Sequence, residues 1–163
     1  MTRTFSLRAA FGLCLATSAP LGADAGSVPV SSDVSEATGW RAEVVVEGLS
    51  HPWSIAWLPD GAALVTERSG RLRVVRDGRL EVTPVAGLPS VLAAGQGGLL
   101  DVSLHPDFAN NGLVYVTFAT GTQDANRTAL ARGRFDGRTL RDTEVIFENA
   151  DTKWGTQHFG SRL

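Results

Sequence analysis

The sequence is poor in several residue types that most often carry chemistry. Its one cysteine, Cys14, falls inside an apolar N-terminal stretch. Once that stretch is removed no thiol remains, which excludes disulfides, thiolate metal sites and thiol catalysis. There is one lysine, Lys153, against fourteen arginines, and no basic run. The arginines alternate with apolar or acidic residues, so nothing points to nucleic acid. Three histidines, His51, His105 and His158, stand far apart in the chain. No two of them have the i, i+2 or i, i+4 spacing of a local metal motif, and no metal ligand is assigned. Gly95-Gln96-Gly97-Gly98 leads to no Gly-Lys-Ser/Thr, and the nucleophile elbow Gly-x-Ser-x-Gly is missing. Phosphate-cradling and serine-hydrolase motifs are therefore excluded. The longest apolar run, near the N-terminus, is too short for a membrane span.

What remains is an ordinary globular composition. The 163 residues are 43% hydrophobic and 20% charged, with net charge −2, enough for one domain of modest core. Eighteen glycines and many short Val/Leu-rich segments favour an all-β fold. Residues 1–25 read as an export signal: Arg3 and Arg8 ahead of the apolar stretch Ala9 to Ala19, then an A-x-A site at Ala23-Asp24-Ala25. Residues 26–40 are polar and Ser-rich, a flexible lead-in. Export without disulfides implies a bacterial periplasmic or secreted protein. Asn126-Arg127-Thr128 is formally a glycosylation sequon, which such a protein does not use.

From residue 41 the chain reads as short strands. They are expected at Arg41–Glu47, Ser54–Leu58, Ala62–Thr66, Arg71–Arg76 and Arg79–Thr83. The pattern then restarts, with strands at Leu99–Leu104, Leu113–Thr120, Ala129–Phe135 and Glu144–Glu148. Turns are marked by Pro59-Asp60-Gly61, Ser69-Gly70, Asp77-Gly78, His105-Pro106-Asp107 and Asp136-Gly137. The two Pro-Asp pairs lie 47 residues apart. Four short antiparallel strands repeating at roughly 40–50 residues are the pattern of β-propeller blades, although sandwiches also show many short strands.

Two stretches narrow the choice. Gly95-Gln96-Gly97-Gly98-Leu99-Leu100-Asp101-Val102-Ser103-Leu104-His105-Pro106-Asp107-Phe108 sets one amide in a glycine cluster ahead of an apolar strand. Thr156-Gln157-His158-Phe159-Gly160-Ser161-Arg162-Leu163 carries an H-x-x-x-R-L pattern. Together with Gly48-Leu49-Ser50-His51-Pro52-Trp53 and Leu58-Pro59-Asp60-Gly61, they resemble the pyrroloquinoline quinone (PQQ)-dependent soluble aldose sugar dehydrogenases of the glucose/sorbosone dehydrogenase family. The resemblance covers residues 41–163. It implies a six-bladed β-propeller of which this chain holds about the first two blades and the start of a third. The chain is thus expected to be the N-terminal part of a larger enzyme, inactive by itself.

The resemblance also implies roles. His158 matches the base that takes the hydroxyl proton while a hydride passes from the anomeric carbon to PQQ. That suits an imidazole, which is neutral near pH 7. Gln96 and Gln157 match substrate-contacting positions, and an amide can both donate to and accept from sugar hydroxyls. Ser161 stands where a glycine often precedes the arginine. PQQ and calcium are the implied cofactors, with their main ligands beyond residue 163. An aldose and an external electron acceptor are the implied partners; cofactor-binding residues and oligomeric state are left open.

Plainer roles are expected elsewhere: His51 and His105 as turn residues, Asp101 and Asp107 as turn caps, Trp53, Trp57 and Trp154 as packing between blades, and Arg162 as a structural cation. Two other functions compete. One is a propeller that binds without chemistry, against which His158 argues. The other is a calcium-dependent sugar lactonase-like propeller, which needs an acidic cluster that the sequence does not display.

Overall fold

Alternating apolar residues and tight turns build two four-stranded antiparallel meanders, in the order β1-β2-β3-β4 and β5-β6-β7-β8. A computed structural model describes residues 43–163, so the expected export signal and the whole lead-in lie outside the described residues. Everything below belongs to one unit, Val45–Leu163. The first sheet comprises β1 (Pro52–Trp57), β2 (Ala63–Glu67), β3 (Arg71–Arg76) and β4 (Arg79–Leu80). The second comprises β5 (Leu99–Leu104), β6 (Leu113–Gly121), β7 (Asn126–Phe135) and β8 (Leu140–Glu148), with a one-turn helix α1 (Phe108–Asn111) between β5 and β6. Each sheet is one propeller blade.

The blades meet face to face. Leu64, Leu72 and Val74 of the first pack into one buried cluster with Val102, Val114, Val116, Phe118, Ala129 and Ala131 of the second. Each is a one-in-two position on its strand, so alternation alone sends them to the shared face. Burying such branched side chains supplies the main force holding the blades together. Polar bonds fix the seam beside the core. The buried Thr66 hydroxyl donates to the Leu100 carbonyl at 2.6 Å and accepts the Ser54 N–H at 3.0 Å. The Leu99 N–H donates to the Arg68 carbonyl at 3.2 Å.

Asp77-Gly78 turns β3 into β4 with φ of 51° and 69°, the positive pair that a two-residue hairpin of native twist requires. The strand expected over Arg79–Thr83 stops at Leu80. The Glu81 N–H still reaches the Val74 carbonyl, and the Val85 N–H reaches that of Leu72. Between them Val82, Thr83 and Pro84 bulge away, and proline has no N–H to give the ladder. No strand forms over the described part of Arg41–Glu47. Val46 and Leu49 instead cover Ala63, Val65 and Val75 on the outer face of the first sheet. The edge strand expected from Glu144 begins at Leu140.

Two further expectations are corrected. Trp53 and Trp57 do not pack between the two described blades: they lie on that outer face, Trp57 65% exposed, and Trp154 is exposed as well. Asp101 caps no turn. It sits inside β5, only 4% exposed.

Candidate active site

The glycine cluster forms the loop that enters β5, and its glycines are required by close approach. A Cβ on Gly98 would stand 2.3 Å from the Arg68 carbonyl oxygen of the first blade. A Cβ on Gly95, where φ is +57°, would stand 2.3 Å from Thr156 Oγ1 and 2.6 Å from its carbonyl oxygen. The loop is thus pressed between the first blade and the segment 156–163. The Arg68 guanidinium also donates to the Gly95 carbonyl.

Segment 156–163 has no regular structure and is held at discrete points. The Gln96 N–H donates to the Thr156 carbonyl at 2.8 Å. The His158 N–H donates to Gln96 Oε1 at 2.8 Å. Phe159 is buried against Leu100, Ala119 and Leu92. The Ser161 and Thr117 hydroxyls share a 2.6 Å hydrogen bond, and the Leu163 N–H donates to Asp101 Oδ2 at 2.7 Å. Ahead of the segment, Lys153 Nζ donates to Asn126 Oδ1 at 2.8 Å and lies 3.6 Å above the Phe159 ring. Asn126 is fully buried and donates to three carbonyls, those of Thr122, Gln123 and Gly155, which accounts for it as a structural hub.

These ties leave the polar side chains outside. Gln96, Gln157, His158 and Arg162 are all exposed, while Phe159 between them is buried. His158 takes φ of +62°, a left-handed conformation uncommon for a residue with a Cβ. The arrangement presents an imidazole, two amides and a guanidinium along one short stretch, beside the N-terminal end of an inner strand. Such a set can bind hydroxyls and move a proton.

The other histidines serve turns. His105 Nδ1 accepts the Asp107 N–H at 3.0 Å, and its ring stacks on Tyr115 at 6.2 Å. His51 precedes β1 with φ of +49°. Asp107 is the N-cap residue of α1, but its side chain receives the Asn110 amide rather than a backbone N–H. Among the described residues, no three His, Cys, Asp or Glu side chains converge as a metal site. An apolar groove of about 320 Å3 on the outer face of the first sheet is lined by residues such as Trp53, Ile55 and Trp57, and involves neither Gln96 nor His158.

Residues 49–163 match the Glucose / Sorbosone dehydrogenase family. This chain belongs to the glucose/sorbosone dehydrogenase family. Among relatives, the Synechocystis sp. protein slr1608 is 55% identical over 131 residues, covering 76% of this chain and 32% of its own length. Aldose sugar dehydrogenase YliI of Escherichia coli is 38% identical over 127 residues, 76% of this chain and 34% of its own. The crystal structure of the soluble aldose sugar dehydrogenase from E. coli in the apo-form superposes with TM-score 0.70 at 37% identity, covering 74% of this chain and 36% of that one. The PQQ-bound form of aldose sugar dehydrogenase from Streptomyces coelicolor superposes with TM-score 0.54 at 32% identity, covering 66% and 33%. The chain spans about a third of the length of the curated relatives it matches. PQQ therefore belongs to the family's chemistry, and the two sheets are two blades of its propeller.

Asp101 and Thr117 are the site-forming residues that pattern reasoning passes over. A carboxyl inside Leu99-Leu100-Asp101-Val102 is out of keeping with a buried strand, and that anomaly is the only sequence signal of its role.

Proposed function

We propose that this chain carries the proton-accepting side of an exported, PQQ-dependent aldose dehydrogenase. The observation behind the proposal is the Gln96–His158 hydrogen bond. It joins the two most family-like motifs, 62 residues apart, at one place.

In this reading the sugar's anomeric hydroxyl meets the exposed imidazole of His158, which takes its proton. Gln96 and Gln157 hold neighbouring hydroxyls by donating and accepting hydrogen bonds. The anomeric C–H bond breaks with its electron pair, and the sugar leaves as a lactone. PQQ, when bound, supplies the hydride acceptor. Gln96 cannot do more than position, because an amide does not titrate. Of the side-chain types in the segment, an imidazole is the one suited to accept a proton near pH 7. The described residues do not make the acidic donor set that calcium takes. Residues 1–25 direct the protein to the periplasm or outside the cell.

The test is dye-linked aldose oxidation by the protein expressed from its whole reading frame and charged with PQQ and calcium. Wild type turns over glucose or another aldose. His158→Gln loses turnover while still binding PQQ. An aldose dehydrogenase activity that His158→Gln leaves intact overturns the assignment of the base.

A further inference from the structure

We infer that Asp101, acting with Thr117, is the positioning residue that holds His158 in place from inside the blade seam. The deeply buried Asp101 carboxyl has a donor at each oxygen: the Ser54 hydroxyl at Oδ1, 2.5 Å away, and the Leu163 N–H at Oδ2, 2.7 Å away. Its own N–H donates to Thr117 Oγ1 at 2.9 Å, and that hydroxyl meets Ser161 Oγ at 2.6 Å. One chain of bonds therefore runs from β1, through β5 and β6, to two points of the segment 156–163. A carboxyl is costly to bury and is retained where its bonds specify a position.

What those bonds specify is the return path of the segment after Phe159. His158 is fixed ahead of Phe159 by Gln96, and Ser161 and Leu163 are fixed behind it by Thr117 and Asp101. With the segment tied on both sides of Phe159, the backbone holds His158 at positive φ, a conformation that survives only where its surroundings over-determine it. The Asp101–Thr117 clasp is the part of those surroundings reaching into the rigid core. Ser54 stands 47 residues before Asp101, the repeat spacing. The same inner-strand position in both blades thus supplies donor and acceptor of one bond.

The inference bears on catalysis only through the reading of His158 as base, so its test is independent of sugar chemistry. Backbone amide exchange is followed residue by residue by NMR in wild type, Asp101→Ala, Asp101→Asn and Ser161→Ala. Asp101→Ala is expected to speed exchange at Leu163 and also at the His158 N–H, five residues away, by about tenfold. The Val116 and Ala131 amides of the β6–β7 ladder keep their protection. Asp101→Asn rescues to within about threefold of wild type, because its oxygen can accept from Leu163 while its amide donates to Ser54. Ser161→Ala, which leaves the core untouched, speeds His158 exchange in the same direction. The inference is overturned if neither Asp101→Ala nor Ser161→Ala alters exchange at His158. It is equally overturned if the Asn variant behaves like the Ala variant. A catalytically idle His158 with this exchange pattern would sink the proposed base and leave the clasp standing.

Discussion

The side-chain carbonyl of Gln96 accepts the backbone N–H of His158 at 2.8 Å, across 62 residues of chain. The bond orients the main chain of the segment rather than the imidazole. Gln96→Glu keeps an acceptor there and should preserve the segment, measured as His158 amide protection, whereas Gln96→Ala should lose that protection. Because Gln96 is exposed, the loss in global stability should be small, about 0.5–1.5 kcal/mol by urea unfolding.

Gly95→Ala should act on the same segment by force. The new methyl would overlap Thr156, and an alanine at φ +57° is strained wherever it is placed. A destabilisation of about 1–3 kcal/mol is expected, together with displacement of Thr156 and loss of aldose oxidation. Thermal unfolding and activity of the variant check both. Wild-type stability and rate would show that the loop yields freely.

How much of this is legible in the sequence differs from place to place. Arg71–Arg76 and the Asp77-Gly78 turn are readable because side-chain alternation and positive φ are local requirements. The strand expected over Arg41–Glu47 is misread because β-propensity is only half of a strand; the other half is an edge to pair with. The tryptophans of β1 fall on the face of the first sheet turned away from the second, since alternation does not say which face meets which blade. The meeting of Gln96 and His158 is readable only through family resemblance, for no periodicity links residues so far apart. Asp101 is visible as an anomaly in an apolar run, but its partners come from another blade and from the segment after β8.

Glu67 should make the first blade sensitive to acid. It is fully buried at the end of β2, accepting the Ser50 N–H at 2.6 Å and Arg71 Nε at 2.5 Å, with Arg73 Nη1 at 3.4 Å. Burial pushes its pKa up, but the hydrogen bonds from Arg71 and Ser50 and the charges of Arg71 and Arg73 outweigh this and hold it below the ordinary glutamate value. A lowered folded pKa means stability that is fully present above the unfolded value of about 4.3 and lost as pH falls through the folded one. Unfolding free energy measured against pH should therefore fall below about pH 4.3, and the share due to Glu67 should vanish in Glu67→Gln.

Removing the Glu67 side chain should cost more than acid does. Glu67→Ala leaves Arg73 buried without its carboxylate, and Arg73 Nε already lacks a hydrogen-bond partner. A loss of about 3–5 kcal/mol is expected in denaturant unfolding. A loss under about 1 kcal/mol would show that water reaches the pair.

His158→Gly separates strain from function. Glycine adopts positive φ without penalty, so the variant should be as stable as wild type or more so, by up to about 1 kcal/mol. Its aldose oxidation should be lost. A clear drop in melting temperature would mean that the imidazole is held for packing.

The most direct test of the account is the turnover of His158→Gln beside wild type, in the protein from its whole reading frame, saturated with PQQ, calcium and an artificial acceptor. The account predicts that kcat for aldose oxidation falls by about 10²–10⁴-fold, while KM and PQQ binding change little. A kcat within a few-fold of wild type would contradict it, and the base would have to be sought elsewhere in the protein.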